Sequence, residues 1–112
     1  MDTHLFDELD NFINNNNDKV ILLYFGASWC GPCKQLKLKL SEENTIQEMP
    51  LLKVFYIDID NNEIISSTYK IKVLPTQIFV KLSNNTVKVV ARVEGYDYIK
   101  LLLEYNNYIN KN

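Results

Sequence analysis

The two cysteines of the protein, Cys30 and Cys33, are the residues whose type and spacing could support chemistry. They follow the apolar run at residues 20–25, which predicts a buried strand, and the residues after them predict a helix. A Cys-x-x-Cys pair at a strand-to-helix junction is typical of a dithiol that cycles with a disulfide. The sequence therefore predicts thiol–disulfide exchange at this junction.

The start of the predicted helix should favour a thiolate at Cys30. Gly31 permits a tight turn, and Pro32 has a backbone φ suited to a first helical turn. Unpaired backbone N–H groups at a helix N-terminus stabilise a nearby anion by about 0.3–1 kcal/mol, which would lower the pKa of the Cys30 thiol. Cys33 lies one turn further along and should be more buried. We therefore interpret Cys30 as the attacking nucleophile and Cys33 as the resolving thiol.

A cysteine pair can also bind zinc or form a purely structural disulfide, and the sequence favours neither use. A zinc site needs about four ligands, and His4 is the single histidine that the sequence adds to Cys30 and Cys33. A purely structural disulfide across so short a loop would gain little stabilisation from loop closure. We expect no metal, and no cofactor other than the redox-active Cys30–Cys33 disulfide.

Length and composition indicate one soluble domain spanning residues 1–112. The chain is 46% hydrophobic and 23% charged, which is ordinary for a globular protein. A formal charge of −2 does not indicate binding to nucleic acid or to an anionic membrane. No apolar run is long enough to cross a bilayer. The acidic N-terminus does not resemble a secretory signal, so we expect a reducing compartment, the cytosol, with a processed precursor as the alternative.

The spacing of apolar residues predicts the order helix-strand-helix-strand-helix-strand-strand-helix. Two strands separated by a helix imply a parallel pair, and the two late strands imply a hairpin. Asp97 is a candidate cap of the last helix. The first predicted helix has its apolar residues at positions 5–13 and Asp2 or Thr3 as a possible cap, and the others are at residues 32–41, 63–69 and after Asp97. The predicted strands are at residues 20–25, 51–59, 76–80 and 87–93.

Several buried faces also follow from periodicity. In the first strand, alternation places Val20, Leu22 and Tyr24 on one face and the intervening apolar residues on the other. The short third helix is expected to bury Ile64 together with Ile65 and Tyr69. For the last helix two apolar faces remain open. They are Ile99, Leu102, Leu103 and Tyr105, or Leu101, Tyr105 and Tyr108.

Residues 29–34, WCGPCK, resemble the active-site signature of the thioredoxin family, and residues 25–28 are similar to its lead-in. The resemblance covers about residues 3–108. It implies an α/β thioredoxin fold, with a central mixed β-sheet of about four strands flanked by helices on both faces. It also implies that electrons arrive from a thioredoxin reductase-like donor, and ultimately from NADPH.

The resemblance extends to a second segment, residues 73–76, which matches the family's cis-proline loop. General statistics favour a trans bond before Pro75, but the family match implies a cis bond beside the dithiol. In the family, the residue before this proline hydrogen-bonds the substrate backbone. The implied substrate-binding residues are Trp29, Gly31, Pro32, Leu74, Pro75 and Gly95.

Two tyrosines depart from the family pattern. Tyr24 occupies the position of a buried aspartate beneath the resolving cysteine, and Tyr56 that of a partner lysine. The resemblance therefore implies that two buried phenols replace a buried acid and base. A phenol of pKa about 10 cannot accept the proton of Cys33 near pH 7. We expect solvent or the leaving thiolate to take that proton, which would slow resolution, although Tyr24 could donate a hydrogen bond to the Cys33 thiolate. The alternative is that Tyr24 is only a core residue.

The leading functional prediction is a protein-disulfide reductase, acting on disulfide-containing proteins as a monomer. Proline between the cysteines favours a reductase over an oxidase or isomerase, whose motifs commonly carry histidine there. The missing acid keeps an oxidase or isomerase open as an alternative. A binding module that retains the dithiol without using it is the alternative from another class.

Overall fold

The computed structural model describes residues 2–111 and the side chains of residues 5–111. Its elements confirm the predicted order, with one added helix and a single 3₁₀ turn at Ile59–Asn61. His4, the third candidate zinc ligand, lies outside the described side chains. The helices are α1 (Asp2–Asn15), α2 (Gly31–Ser41), α3 (Glu43–Glu48), α4 (Glu63–Thr68) and α5 (Tyr98–Asn110), and the strands are β1 (Val20–Gly26), β2 (Leu52–Asp58), β3 (Thr76–Ser83) and β4 (Thr86–Glu94).

The four strands form one mixed sheet in the order β2-β1-β3-β4. The β1–β2 pair is parallel, and both pairs made by β3 are antiparallel. α2 and α5 cover one face of the sheet, while α1 and α4 cover the other. This is the predicted α/β architecture of a mixed sheet between helices.

β1 is the centre of the fold because helices cover both of its faces. All seven of its residues are buried. Val20, Leu22 and Tyr24 belong to the core beneath α2 and α5, whereas Ile21, Leu23 and Phe25 belong to the core beneath α1 and α4. The predicted alternation is therefore confirmed, and it places Tyr24 on the face that carries the dithiol helix.

Two expectations about helices need correction. Ile64 is 54% exposed, so the buried side of α4 is formed by Ile65, with Tyr69 packed just beyond the helix end. Neighbouring helical residues point about 100° apart, and with Ile65 directed at the sheet Ile64 lies at the exposed side of the helix. α3 was not predicted because its six residues are mostly polar and bury only Thr45.

The last helix uses the second of its two candidate faces. Leu101, Tyr105 and Tyr108 are buried, while Ile99 is 76% exposed. Asp97 caps the helix, since its carboxylate accepts a hydrogen bond from the Lys100 backbone N–H at 3.0 Å.

Candidate active site

The dithiol lies at the start of α2, with Cys30 as the residue that caps the helix. The backbone of Cys30 is extended, and its sulfur accepts a hydrogen bond from the Cys33 backbone N–H at 3.2 Å. The two cysteines form a disulfide with their Cα atoms 5.2 Å apart. Cys30 is 7% exposed and Cys33 2% exposed, so the predicted greater burial of Cys33 is confirmed. A sulfur held at a helix N-terminus is placed where a thiolate would be stabilised.

The second predicted segment forms a loop joined to Gly95. The Leu74–Pro75 peptide bond is cis, as the resemblance implies. The Pro75 carbonyl accepts a hydrogen bond from the Gly95 N–H at 2.7 Å, and the Gln77 side-chain amide donates to the Gly95 carbonyl at 3.2 Å. Leu74 packs against the apolar cluster that contains both cysteines. Pro75 and Gly95 thus lie together on the dithiol side of the sheet.

Trp29 is held beside the dithiol by a residue that the sequence analysis did not single out. Its indole Nε1 donates a hydrogen bond to Oδ2 of Asp60 at 2.8 Å, and its side chain is 66% exposed. Trp29 follows β1 and Asp60 follows β2. Because these two strands are parallel neighbours, both residues lie beyond the carboxyl ends of the strands, on the same side of the sheet. The position of each residue just after one of two strands expected to be parallel is the sequence signal that could have suggested the contact.

Tyr24 contacts Cys33 through the backbone rather than through sulfur. Its hydroxyl donates a 2.5 Å hydrogen bond to the carbonyl oxygen of Cys33, and the tyrosine is 5% exposed. The expected hydrogen bond to the sulfur of Cys33 is therefore not the one made in this disulfide form. A phenol has one proton to donate, so Tyr24 anchors the first turn of α2 to β1.

Tyr56 is less buried than the sequence suggested, since 43% of it is exposed. It is the direct register partner of Tyr24 across the β1–β2 pair, and the two ring centroids are 5.0 Å apart in a tilted arrangement. Aromatic pairs at this separation and angle attract one another. The expectation of two buried phenols is correct for Tyr24 and wrong for Tyr56, whose strand lies at the sheet edge.

Gly26 makes room for the ring of Tyr24. A Cβ atom at this glycine would lie 2.7 Å from Cε1 of Tyr24, closer than van der Waals contact allows. Gly26 is two residues beyond Tyr24 on the same face of β1. The large side chain beneath the dithiol therefore depends on the absent side chain at position 26.

Both phenols near Cys33 stay protonated at neutral pH. Burial, reinforced by the neighbouring Tyr56, raises the pKa of Tyr24 to about 12. Burial also raises the pKa of Tyr56 above its ordinary value. Neither hydroxyl can therefore act as the acceptor for the Cys33 proton near pH 7, as the sequence analysis predicted for Tyr24.

The described residues offer neither a metal-binding cluster nor a membrane-spanning helix. Within residues 2–111, no group of three or more histidine, cysteine, aspartate or glutamate side chains is arranged to hold a metal ion. No helix in the same range is long and apolar enough to cross a membrane.

Comparison with known proteins decides the family. Residues 3–104 match the family model described as Thioredoxin. The chain belongs to the thioredoxin family. With its paired Cys30 and Cys33, it is a thiol–disulfide oxidoreductase of the kind that reduces protein disulfides.

Individual relatives agree with this assignment. Thioredoxin from Chlamydia pneumoniae is 36% identical over 75% of this chain and 78% of its own length. Thioredoxin-T from Drosophila melanogaster is 35% identical over 70% of this chain, a match that spans only 49% of that protein. The X-ray structure of Fasciola hepatica thioredoxin superposes with a TM-score of 0.75 and 31% identity, covering 90% of this chain and 91% of that chain. The thioredoxin fold predicted from residues 29–34 is thus confirmed.

Proposed function

We propose that the protein reduces disulfides of protein substrates as one domain spanning residues 1–112, with Cys30 as the nucleophile. The observation that carries the proposal is the position of the Cys30 sulfur at the N-cap of α2, where it accepts the Cys33 N–H. The Cys30 thiolate attacks a substrate disulfide and forms a mixed disulfide. Cys33 then attacks Cys30, which releases the reduced substrate and leaves the Cys30–Cys33 disulfide.

The surface around Cys30 suits an extended polypeptide. Trp29, Val73 and Tyr96 are large apolar residues between 41% and 66% exposed, and they flank the dithiol, the cis-proline loop and Gly95 respectively. Exposed apolar residues grouped in this way are typical of a surface that binds another protein. We assign substrate contacts to this surface. The assigned residues are Trp29, Gly31, Pro32, Leu74, Pro75 and Gly95.

Electrons would reach the disulfide from a thioredoxin reductase-like donor, as elsewhere in the family. The net charge of −2 gives no reason to expect nucleic acid or an anionic membrane as a partner. We place the protein in the cytosol as a monomer, contributing to redox homeostasis and electron transport. A reducing compartment is where a catalytic cysteine pair is expected, and a small domain with a single dithiol can act alone.

The equilibrium reduction potential of the Cys30–Cys33 pair tests the direction of electron flow. Trp29 lies next to the dithiol, so its fluorescence can follow titration in defined thiol buffers. Reference potentials are about −270 mV for thioredoxin and about −180 mV for protein disulfide isomerase. We expect a value near the first. A value near the second would replace the proposal with disulfide formation or isomerisation, the alternative that the Tyr24–Tyr56 pair favours.

The double variant Cys30→Ser, Cys33→Ser separates chemistry from a binding role. If the protein is a reductase, this variant loses both disulfide reduction and the cellular role. Retention of the cellular role by a folded double variant would identify a binding module instead.

A further inference from the structure

A pocket of about 270 Å³ lies on the Cys33 side of the disulfide, between α2 and the ends of β1 and β2. The resolving cysteine forms part of its wall, while the cis-proline loop with Pro75 does not. A space of this size holds several water molecules, since one water occupies about 30 Å³ in the liquid. The titratable side chains that line the pocket are Tyr24, Cys33, Lys34, Lys37, Tyr56 and Asp58.

The strands β1 and β2 line the pocket with two neutral phenols and one carboxylate. β1 contributes Tyr24 and β2 contributes Tyr56, both neutral near pH 7. β2 also contributes Asp58, whose carboxylate accepts hydrogen bonds from the Asp60 N–H and the Asn61 side chain and so serves the 3₁₀ turn.

α2, the helix that carries Cys33, contributes two ammonium groups, Lys34 and Lys37. The charge nearest to the resolving cysteine along its own helix is thus positive. The acid on the opposite wall, Asp58, is hydrogen-bonded elsewhere.

Lys37 is the better placed of these two lysines. It follows Cys33 by four residues, which puts both side chains on one face of α2 with Cβ atoms about 5–6 Å apart. Its Nζ lies 4.9 Å from the centroid of the Tyr56 ring. A cation over an aromatic face is attracted by the ring, so Tyr56 holds this ammonium at the pocket. Tyr56 in turn packs on Tyr24 at 5.0 Å.

We propose that Lys37 is a positioning residue for the resolving step: held over Tyr56, it stabilises the Cys33 thiolate while the proton leaves through the pocket to water. The inference rests on the proposed dithiol exchange and assigns how this chain performs it without a buried acid. Tyr24 takes no part in the proton transfer, because its hydroxyl is bonded to the Cys33 carbonyl.

The atoms and electrons of the step balance. The Cys33 S–H gives its proton to solvent water in the pocket, and the thiolate attacks the sulfur of Cys30 in the mixed disulfide. The Cys30–Cys33 bond forms as the bond between Cys30 and the substrate sulfur breaks. The electron pair of that bond leaves on the substrate thiolate, which takes a proton from solvent.

The acidity of Cys33 can be measured directly in a Cys30→Ser background of the full chain. The rate of alkylation by iodoacetamide is followed against pH at low ionic strength, because the thiolate is the form that reacts. Adding Lys37→Gln should slow alkylation at pH 7 about threefold and move the titration midpoint to higher pH. Lys37→Arg keeps the charge and should restore the original profile. The effect of Lys37→Gln should shrink in about 1 M salt, where the screening length is about 3 Å.

Lys39→Gln is the matched control. Lys39 lies on the same helix, but its ammonium pairs with Glu42 and lies over Tyr98 instead of Tyr56. This variant should leave the Cys33 profile unchanged. The proposal is overturned if Lys37→Gln does not change the pH dependence of Cys33 alkylation, or if Lys39→Gln shifts it to higher pH by the same amount.

The alkylation result does not depend on substrate turnover. A wrong direction of electron flow would appear in the reduction potential alone, and a wrong role for Lys37 in the alkylation profile alone. The two failures are therefore distinguishable.

Discussion

The two sides of the disulfide are built differently. On the Cys30 side, the helix cap, the cis bond before Pro75 and the neighbouring Gly95 all follow the thioredoxin pattern. On the Cys33 side, two phenols, two lysines and Asp58 line a pocket, and Tyr24 stands where the resemblance implies a buried acid. The side to which we assign substrate contact follows the family pattern, and the side to which we assign the resolving proton departs from it.

This difference separates two steps of one reaction. In the proposed reaction, attack by Cys30 depends on the helix terminus and on the surface assigned to the substrate, and both follow the family pattern. Resolution depends on removing a proton from Cys33, and the neighbouring hydroxyl of Tyr24 cannot accept it with a pKa of about 12. We therefore expect substitutions on the Cys33 side to alter resolution far more than the first attack.

The largest effect is expected from restoring an acid beneath Cys33. Tyr24→Asp should speed resolution of the mixed disulfide at pH 7 about tenfold or more, because a positioned general base typically contributes 10²–10⁴ in rate. Rapid mixing of the reduced protein with a chromogenic aryl disulfide measures it, since the first and second releases of coloured thiol report attack and resolution.

Tyr24→Asn is the control for this substitution, because it has the size of aspartate without a basic carboxylate. It should leave resolution slow, and neither variant should change the first release. Equal resolution rates in Tyr24→Asp and wild type would show that the missing acid has no bearing on rate, and that Tyr24 is only a core residue.

A smaller effect is expected on stability from the hydroxyl of Tyr24. Tyr24→Phe should lower the free energy of unfolding of the disulfide form by about 1–2 kcal/mol at pH 8, because the Cys33 carbonyl loses a donor. Urea unfolding followed by Trp29 fluorescence gives this quantity. A difference within a few tenths of a kcal/mol would mean that the hydrogen bond adds nothing net.

The difference in free energy of unfolding between wild type and Tyr24→Phe should also depend on pH. The pKa of Tyr24 is 10.0 by reference and about 12 when folded, so its contribution is fully present below pH 10 and lost as pH rises toward 12. Wild type should lose this part of its stability over that interval, whereas Tyr24→Phe has no such group to ionise. The gap between the two should therefore narrow with rising pH, and a constant gap would contradict the assignment.

The smallest effect is expected on the Cys30 side, where Asp60 holds Trp29. Asp60→Ala removes the acceptor of the indole hydrogen bond and should raise KM for a protein substrate about twofold to threefold, in line with the modest net worth of an exposed hydrogen bond. kcat should change little. Asp60→Asn keeps an acceptor oxygen and should behave like wild type. If both variants have the KM of wild type, the hydrogen bond from Trp29 to Asp60 does not contribute to substrate binding.

The features predicted from sequence are those that depend on local pattern. Alternation along β1 identified both of its faces, and the glycine–proline start identified a helix N-terminus beside Cys30. Asp97 was recognised as a cap for the same reason. In each case one short segment contains all the information.

The features missed from sequence depend on contacts between segments. That Tyr24 donates to a carbonyl, and not to sulfur, depends on how far α2 lies above β1. The exposure of Tyr56 depends on β2 being an edge strand, and the contact of Lys37 with its ring depends on where α2 crosses that strand. No spacing within a single element encodes these distances.

Gly26 limits how this active site can be exchanged with that of another member of the family. Its missing Cβ accommodates the ring of Tyr24, and that ring lies against Tyr56 on the neighbouring strand. The three residues therefore form a block that must be transplanted whole. A chimaera that received Tyr24 without Gly26 would meet a steric clash, and one that received Gly26 alone would gain an empty space.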